Sequence, residues 1–240
     1  MMARMPHGTS RKVFLVVAGG NPSAERHFED TIQRKRTLQE VRGFLPPKEI
    51  ENLEKIYHGS NFIVWGAVPG PMNESRWEKM APGDVVLIYN SGRIRFAGEI
   101  AAKVRNKDLA RHFCKENDAG STWELMYFIV NEERTDVPIE KLNPLFDYQS
   151  NYRPQGFSMI NEAAVANFAQ NYGDILGVLK TLERGEDLIH LTEQLGGWLM
   201  RQSLVVSLLA ARKLAPSTGL RADATLKRAR HGTHRDNQPG

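Results

Sequence analysis

Trp65 ends the apolar run of residues 62–65, and Gly66, Pro69, Gly70 and Pro71 stop the strand behind it, which sets the indole near an opening. Downstream, Arg93 and Arg95 fall on alternate positions of a second strand, and Lys103 and Arg105 come after them. A flat ring beside a group of cations can stack on a planar ligand and neutralise an anion. On residue type alone, Trp65 fits a core position as well as a ligand wall. Arg93 and Arg95 fit a solvated strand face as well as an anion-binding one.

Other chemistries lack their residue patterns. The seven histidines form neither a His-Glu-x-x-His motif nor the His-x-Glu with paired cysteines of a zinc deaminase. There is no Gly-x-Ser-x-Gly elbow. The strand-glycine-helix order around Gly19 and Gly20 invites a phosphate-loop reading, but no Lys-Ser/Thr comes after the glycines, which suit a close approach to the strand end instead. The single cysteine, Cys114, sits in a helical stretch beside Phe113, where an inert thiol is expected, and it excludes an internal disulfide framework. The sequence therefore points to no catalytic residues, no metal ligands and no cofactor.

The elements that position these residues can be read from pattern. Val13–Val17 reads as a buried strand, with a turn after it through Gly19, Gly20 and Asn21. Residues 25–40 read as one polar helix carrying Arg26, Arg34, Lys35 and Arg36, whose charges suit a solvated face better than a phosphate-contacting one. Pro46 and Pro47 open another helix, to Tyr57. Asn73 is placed to cap a short helix over residues 74–80, with Trp77 packing it onto the core. Residues 85–89 form a strand, and Asn90-Ser91-Gly92 turns it back into a partner whose Ile94, Phe96, Gly98 and Ile100 share one face. Asn106 caps a helix from Lys107. A strand covers residues 125–130, residues 143–157 make an ordered aromatic loop, and Asn161 caps a helix to about residue 171.

At 240 residues, 41% apolar and 25% charged, the chain holds one substantial domain plus an appendage. Its net charge of +4 permits a polyanionic partner without demanding one. Neither residues 13–18 nor residues 204–211 reach membrane-spanning length, so a cytoplasmic protein without membrane attachment is expected. Four segments are expected. Residues 1–10 form a disordered leader and 11–174 the domain. Residues 175–213 form an amphipathic helical extension, with Leu188, Leu191, Leu195, Trp198 and Leu199 seeking a partner surface. Residues 214–240 form a disordered basic tail.

Four segments in this order, WGAVPGPMN, RWEKMAPGDVVLIY, TWELMYFIV and NYRPQGF, resemble the EVE and YTH branch of the PUA-like superfamily, and most of all the EVE-like modules of modification-dependent type IV restriction systems. The resemblance covers residues 11–175. It implies an α+β fold, a bent β-barrel flanked by helices, that receives one extruded nucleotide in an aromatic cage and catalyses nothing. It places Trp65 as the first cage wall. Trp123 is the choice for the second, with Tyr127 and Tyr89 as alternatives. Gly19, Gly20, Asn21 and Gly66 fall at the base edge. Arg93, Arg95, Lys103, Arg105, Arg153 and Gln155 are candidates for the nucleic-acid backbone, although Tyr152, Arg153 and Gln155 serve equally well to close their loop. The helical insertion between Gly20 and Trp65 departs from the small YTH form.

Physical chemistry agrees with that picture. A methyl group is worth about 1–3 kcal/mol in an apolar pocket. Reading it on all sides requires the base to leave the stack at a few kcal/mol, and an aromatic wall returns about 1–3 kcal/mol per base. The expected function is recognition of a modified base in double-stranded DNA, as the specificity part of a restriction or defence system whose nuclease or AAA+ motor is a separate chain or module. Two alternatives stand beside it: a PUA-like protein that reads or helps modify RNA, and a structural protein that forms homo-oligomers through residues 175–213.

Overall fold

The computed structural model describes residues 11–185. The leader over 1–10, the apolar positions from Leu188 to Leu199 and the tail over 214–240 lie outside the described residues. Six strands, β1 (Val13–Val17), β2 (Ile63–Ala67), β3 (Val85–Asn90), β4 (Arg93–Arg105), β5 (Leu125–Pro138) and β6 (Phe157–Met159), form one sheet in the order β2-β5-β4-β3-β1-β6. Every neighbouring pair is antiparallel except β1 and β3.

The β3–β4 hairpin turns through Ser91 (φ 50°) and Gly92 (φ 83°), a tight loop whose backbone twist matches that of the strands it joins. The long pair β4 and β5 carries register shifts between Ile94 and Phe96, Ala97 and Glu99, and Ile100 and Ala102. Each shift bends the sheet. One face was expected to hold Ile94, Phe96, Gly98 and Ile100 together. The first shift divides them instead, with Ile94 on the outer face and Phe96 and Ile100 on the inner.

Around the sheet lie α1 (Pro22–Phe28), α2 (Leu38–Val41), α3 (Pro47–Tyr57), α4 (Pro71–Lys79), α5 (Lys107–Phe113), α6 (Ile139–Leu142), α7 (Glu162–Tyr172) and α8 (Ile175–Glu183). Strand alternation sorts the core into layers. Phe14, Val16, Trp65, Val86, Ile88 and Tyr127 face inward. Val13, Leu15, Val85 and Leu87 face outward against α6, α7 and α8. At the other end α2, α3 and α5 cover the backs of β2 and β5 through Val64, Met126 and Phe128.

Three expectations are corrected. The single helix over 25–40 is interrupted: after α1 comes a π-helical turn, Glu29–Gln33, and then Arg36 runs extended and bridges Phe62 by two backbone hydrogen bonds of 2.8 Å. The buried Arg36 guanidinium, bound to the carbonyls of Asp30 and Phe113 and to Glu40, pulls the chain out of the helix. Asn73 does not cap α4, which starts earlier at Pro71; its amide donates to the Val68 carbonyl across the entering turn. The chain does not leave the domain at residue 174, because Ile175, Val178, Leu179 and Leu182 of α8 are buried in the outer layer.

Candidate functional site

Trp65 on β2 pairs in register with Tyr127 on β5, so both rings project to the inner face. Next to Trp65, Gly66 lets the loop before β5 lie against β2. A Cβ there would collide with the Trp123 carbonyl oxygen and sit 3.1 Å from its carbon. The approach holds the Trp123 indole opposite Trp65. Gly66 thus shapes the site by what it lacks, rather than by offering backbone groups to a ligand.

Between the two indoles stands His27, from the last turn of α1. Its imidazole centroid lies 4.2 Å from that of Trp65, at 40°, and 4.4 Å from that of Trp123, at 19°. Phe28 meets the edge of Trp65 at 6.2 Å and 67°. These are stacking distances, and the imidazole fills the gap between the indoles. Trp65 is accordingly only 2% exposed, and the open indole expected at this strand end is not found.

His27 is itself 1% exposed. Burial drives its pKa from 6.5 down to about 3, partly opposed by the nearby Gly66 backbone, so the ring is neutral at physiological pH. That backbone lies outside hydrogen-bond geometry, and neither ring nitrogen has a hydrogen-bond partner among the described residues. The Tyr127 hydroxyl, in the same layer, is also buried without a partner, and burial pushes its pKa well above the ordinary value. Each such group costs about 1–3 kcal/mol.

On the solvent side of His27 and Trp123 opens a cavity of about 300 Å³, lined also by Arg26, Glu29, Asp30 and Lys115. Its rim is tied by a 2.9 Å hydrogen bond from the Ser23 hydroxyl to Asp118, with Arg26 3.8 Å from the same carboxylate. Cys114 lines it too, with its thiol on the Ala110 carbonyl and its pKa pushed up to about 12 by burial. That thiol is inert.

Trp65, Trp123, Tyr127 and Gly66 are therefore brought together. Tyr89 is not: β3 alternation turns it to the outer face, against the layer of α6, α7 and α8. Gly19 lies under Asn90, whose side-chain oxygen a Cβ would meet at 2.6 Å, and Gly20 (φ 93°) makes the turn into α1. The Asn21 side chain accepts from the Ala24 amide as the α1 cap, which explains it without a ligand.

The candidate backbone contacts are engaged internally. Arg93 and Arg95 share Asp136, Arg105 pairs with Glu74 and Glu124, and Arg153 pairs with Glu140. Lys103 donates to the Trp77 and Glu78 carbonyls at the end of α4 and lies over the Trp77 ring. Gln155 is exposed in its loop. Sequence reasoning missed His27. The available signal was the stripe Ser23, His27, Thr31 at i, i+4, i+8 beside Phe28 and Ile32, which marks one side of an otherwise polar segment as buried.

No group of three or more His, Cys, Asp or Glu residues among those described could hold a metal ion, and no described helix is long and apolar enough to cross a membrane. No protein-family model and no curated protein matches the sequence. Among solved structures, the N-terminal domain of Thermococcus gammatolerans McrB bound to m5C DNA matches with a TM-score of 0.52 at 17% identity, over 67% of this chain and 96% of that one. At that identity the likeness is one of fold, and the chain shares with that domain an α+β fold built on a bent sheet flanked by helices.

Proposed function

We propose that this chain is a non-catalytic reader of a modified base in duplex DNA, which takes the base, swung out of the helix, between Trp65 and Trp123. The observation that carries the reading is the pair of indoles already clasping a planar heterocycle, the His27 imidazole, beside a cavity. The fold supports it, since a solved domain of the same fold is bound to m5C DNA. So does the net charge of +4.

The slot recognises but does not react: its walls are aromatic, its one titratable occupant is neutral and its nearby thiol is inert. The reading therefore assigns cutting or strand movement to a nuclease or AAA+ motor in a separate chain or module, and places the whole in cytoplasmic defence against foreign DNA. The test is a panel of otherwise identical duplexes, each bearing one modified base, titrated at fixed salt. We expect one modification to bind at least about tenfold tighter than plain DNA, a difference of about 1.4 kcal/mol. Trp123→Ala, at a half-buried position, should lose that preference while the protein stays folded. Equal binding of every duplex would overturn the reading, and tighter binding to RNA of the same sequence would redirect it.

A further inference from the structure

We infer that His27 is a built-in occupant of the base site, and that a ligand base enters by displacing it. The inference rests on the reading of the indole pair as a base slot and adds how that slot is kept closed.

Geometry comes first. A flat nitrogen heterocycle between two indoles, with both nitrogens unpartnered, has the ring type and stacking of a bound base without its edge contacts. A core histidine kept for stability normally has a hydrogen-bonded ring. This one is held by stacking and by a Gly66 backbone group outside hydrogen-bond geometry, so a larger ring with more stacking surface and satisfied edges can compete with it.

The ring also has somewhere to go. The cavity of about 300 Å³ is lined by His27 and Trp123 but not by Trp65, and Glu29 and Asp30, which also line it, offer acceptors to nitrogens that have no hydrogen bond inside.

The backbone supplies the movement. His27 lies two residues before the π-helical turn Glu29–Gln33, and the Thr31 hydroxyl donates to the His27 carbonyl across the junction. A π turn holds one residue more than an α turn, and such turns recur at functional sites. Returning it to α geometry turns the preceding helix by roughly 100° relative to the segment after the turn, which takes His27 off the slot. Among the described residues, the polar ties between α1 and the loop that carries Trp123 are the Ser23–Asp118 bond and the looser Arg26–Asp118 pair.

Displacement lowers the apparent affinity for every base by the fraction of molecules that are open. It falls equally on modified and plain bases, so it changes affinity without changing their ratio.

The experiment compares the wild type with His27→Ala, which empties the slot, and His27→Phe, which fills it with a ring that has no unmet polar atoms. The probes are the nucleoside 5-methylcytidine, monitored by tryptophan quenching, and duplexes with and without 5-methylcytosine. For His27→Ala we expect nucleoside binding at least about tenfold tighter than the wild type, and both duplexes tightened by a common factor. For His27→Phe we expect a protein that melts no lower than the wild type yet binds the methylated duplex at least about tenfold more weakly. Should His27→Ala fail to fold, the Phe variant decides: stable and weak supports the inference, stable and unchanged overturns it. A wild type that prefers the methylated duplex, with both variants unchanged, overturns the inference and leaves the reader function standing. Nucleoside captured by His27→Ala, with no preference for any modified duplex of the panel in any variant, supports the displaced ring and removes the reader function.

Discussion

On the outer face of the sheet, Leu15, Leu87, Val137, Phe146 and Phe168 belong to the layer of α6, α7 and α8, and two polar side chains buried beside them are answered: the Asn143 amide donates to the Ser150 and Tyr152 carbonyls, and Asp84 accepts from the Lys12 and Ala81 amides. On the inner face near α1, at similar burial, His27 and Tyr127 present nitrogens and a hydroxyl that no described residue meets. Unmet buried atoms occur elsewhere too, at Thr135 Oγ1 and Arg36 Nε, but among the described residues only near α1 do they lie among stacked aromatic rings beside a cavity. A layer that leaves such groups unmet among aromatic rings gives up stability, which is the signature of a surface meant to be opened.

The strongest test sets one aromatic from each face against the other. Trp65→Ala and Phe168→Ala each remove a ring that is 2% exposed, and each should lower stability by about 3–5 kcal/mol by denaturant unfolding. Only the first should abolish discrimination of modified DNA in protein that remains folded. If both do, or neither does, the two faces do not differ in function. Gly66→Ala should come next. Its new methyl group drives the Trp123 backbone away from β2, at about 1–3 kcal/mol, and should spoil the slot more than the fold. Its binding defect should therefore exceed the loss expected from its melting temperature.

Locally determined elements were the legible part of the sequence. The β1 strand, the Ser91-Gly92 turn and the Asn106 and Asn161 caps are set by neighbouring residues, so local pattern locates them. The resemblance placed Trp65 as one wall and Trp123, Tyr127 or Tyr89 as the other, but it did not indicate that α1 would put a histidine between the indoles. That contact depends on the insertion between Gly20 and Trp65, on the bridge from Arg36 to Phe62 and on a π turn, all long-range or irregular features that a helical period over residues 25–40 conceals. Tyr89 was misplaced because β3 is apolar on both faces, so its sequence does not show which face is the slot.

Acid should separate the faces by a smaller amount. The inserted His27 has a pKa of about 3, against 6.5 when solvated. The closed state thus loses nothing above pH 6.5 and, as pH falls below it, loses about 1.4 kcal/mol per unit until about pH 3. At pH 5 the loss is about 2 kcal/mol. Arg26, Glu29 and Asp30 on its own segment, and Lys115 and Glu116 across the cavity, bound the same space, with Cys114 and Tyr127 un-ionised. The comparison is therefore with His27→Phe, which keeps all of them. Between pH 7 and pH 5 the wild type should lose about 2 kcal/mol more than that variant in denaturant melts, and its nucleoside affinity should rise. Parallel curves would mean that His27 takes up its proton as readily in the folded protein as in the unfolded chain, and so is not held neutral between the indoles.

The smallest effect concerns the cations. Arg93 and Arg95 both hold Asp136, whose carboxyl they keep below its ordinary pKa, and Asp136 lies roughly 30 Å of extended strand along β5 from Tyr127. A guanidinium already on a carboxylate gains little by exchanging it for a phosphate, and these two are far along the sheet from the slot. Arg26 and Lys115 line the cavity beside it. Each cation that meets a phosphate contributes about one unit to the slope of log affinity against log salt. Arg26→Ala with Lys115→Ala should therefore lower that slope by about one to two, whereas Arg93→Ala with Arg95→Ala should leave both slope and base preference where they were. A slope that falls with the hairpin pair and not with the cavity pair would move the DNA path to the β3–β4 hairpin, and the contrast between the two regions would then have to be drawn the other way round.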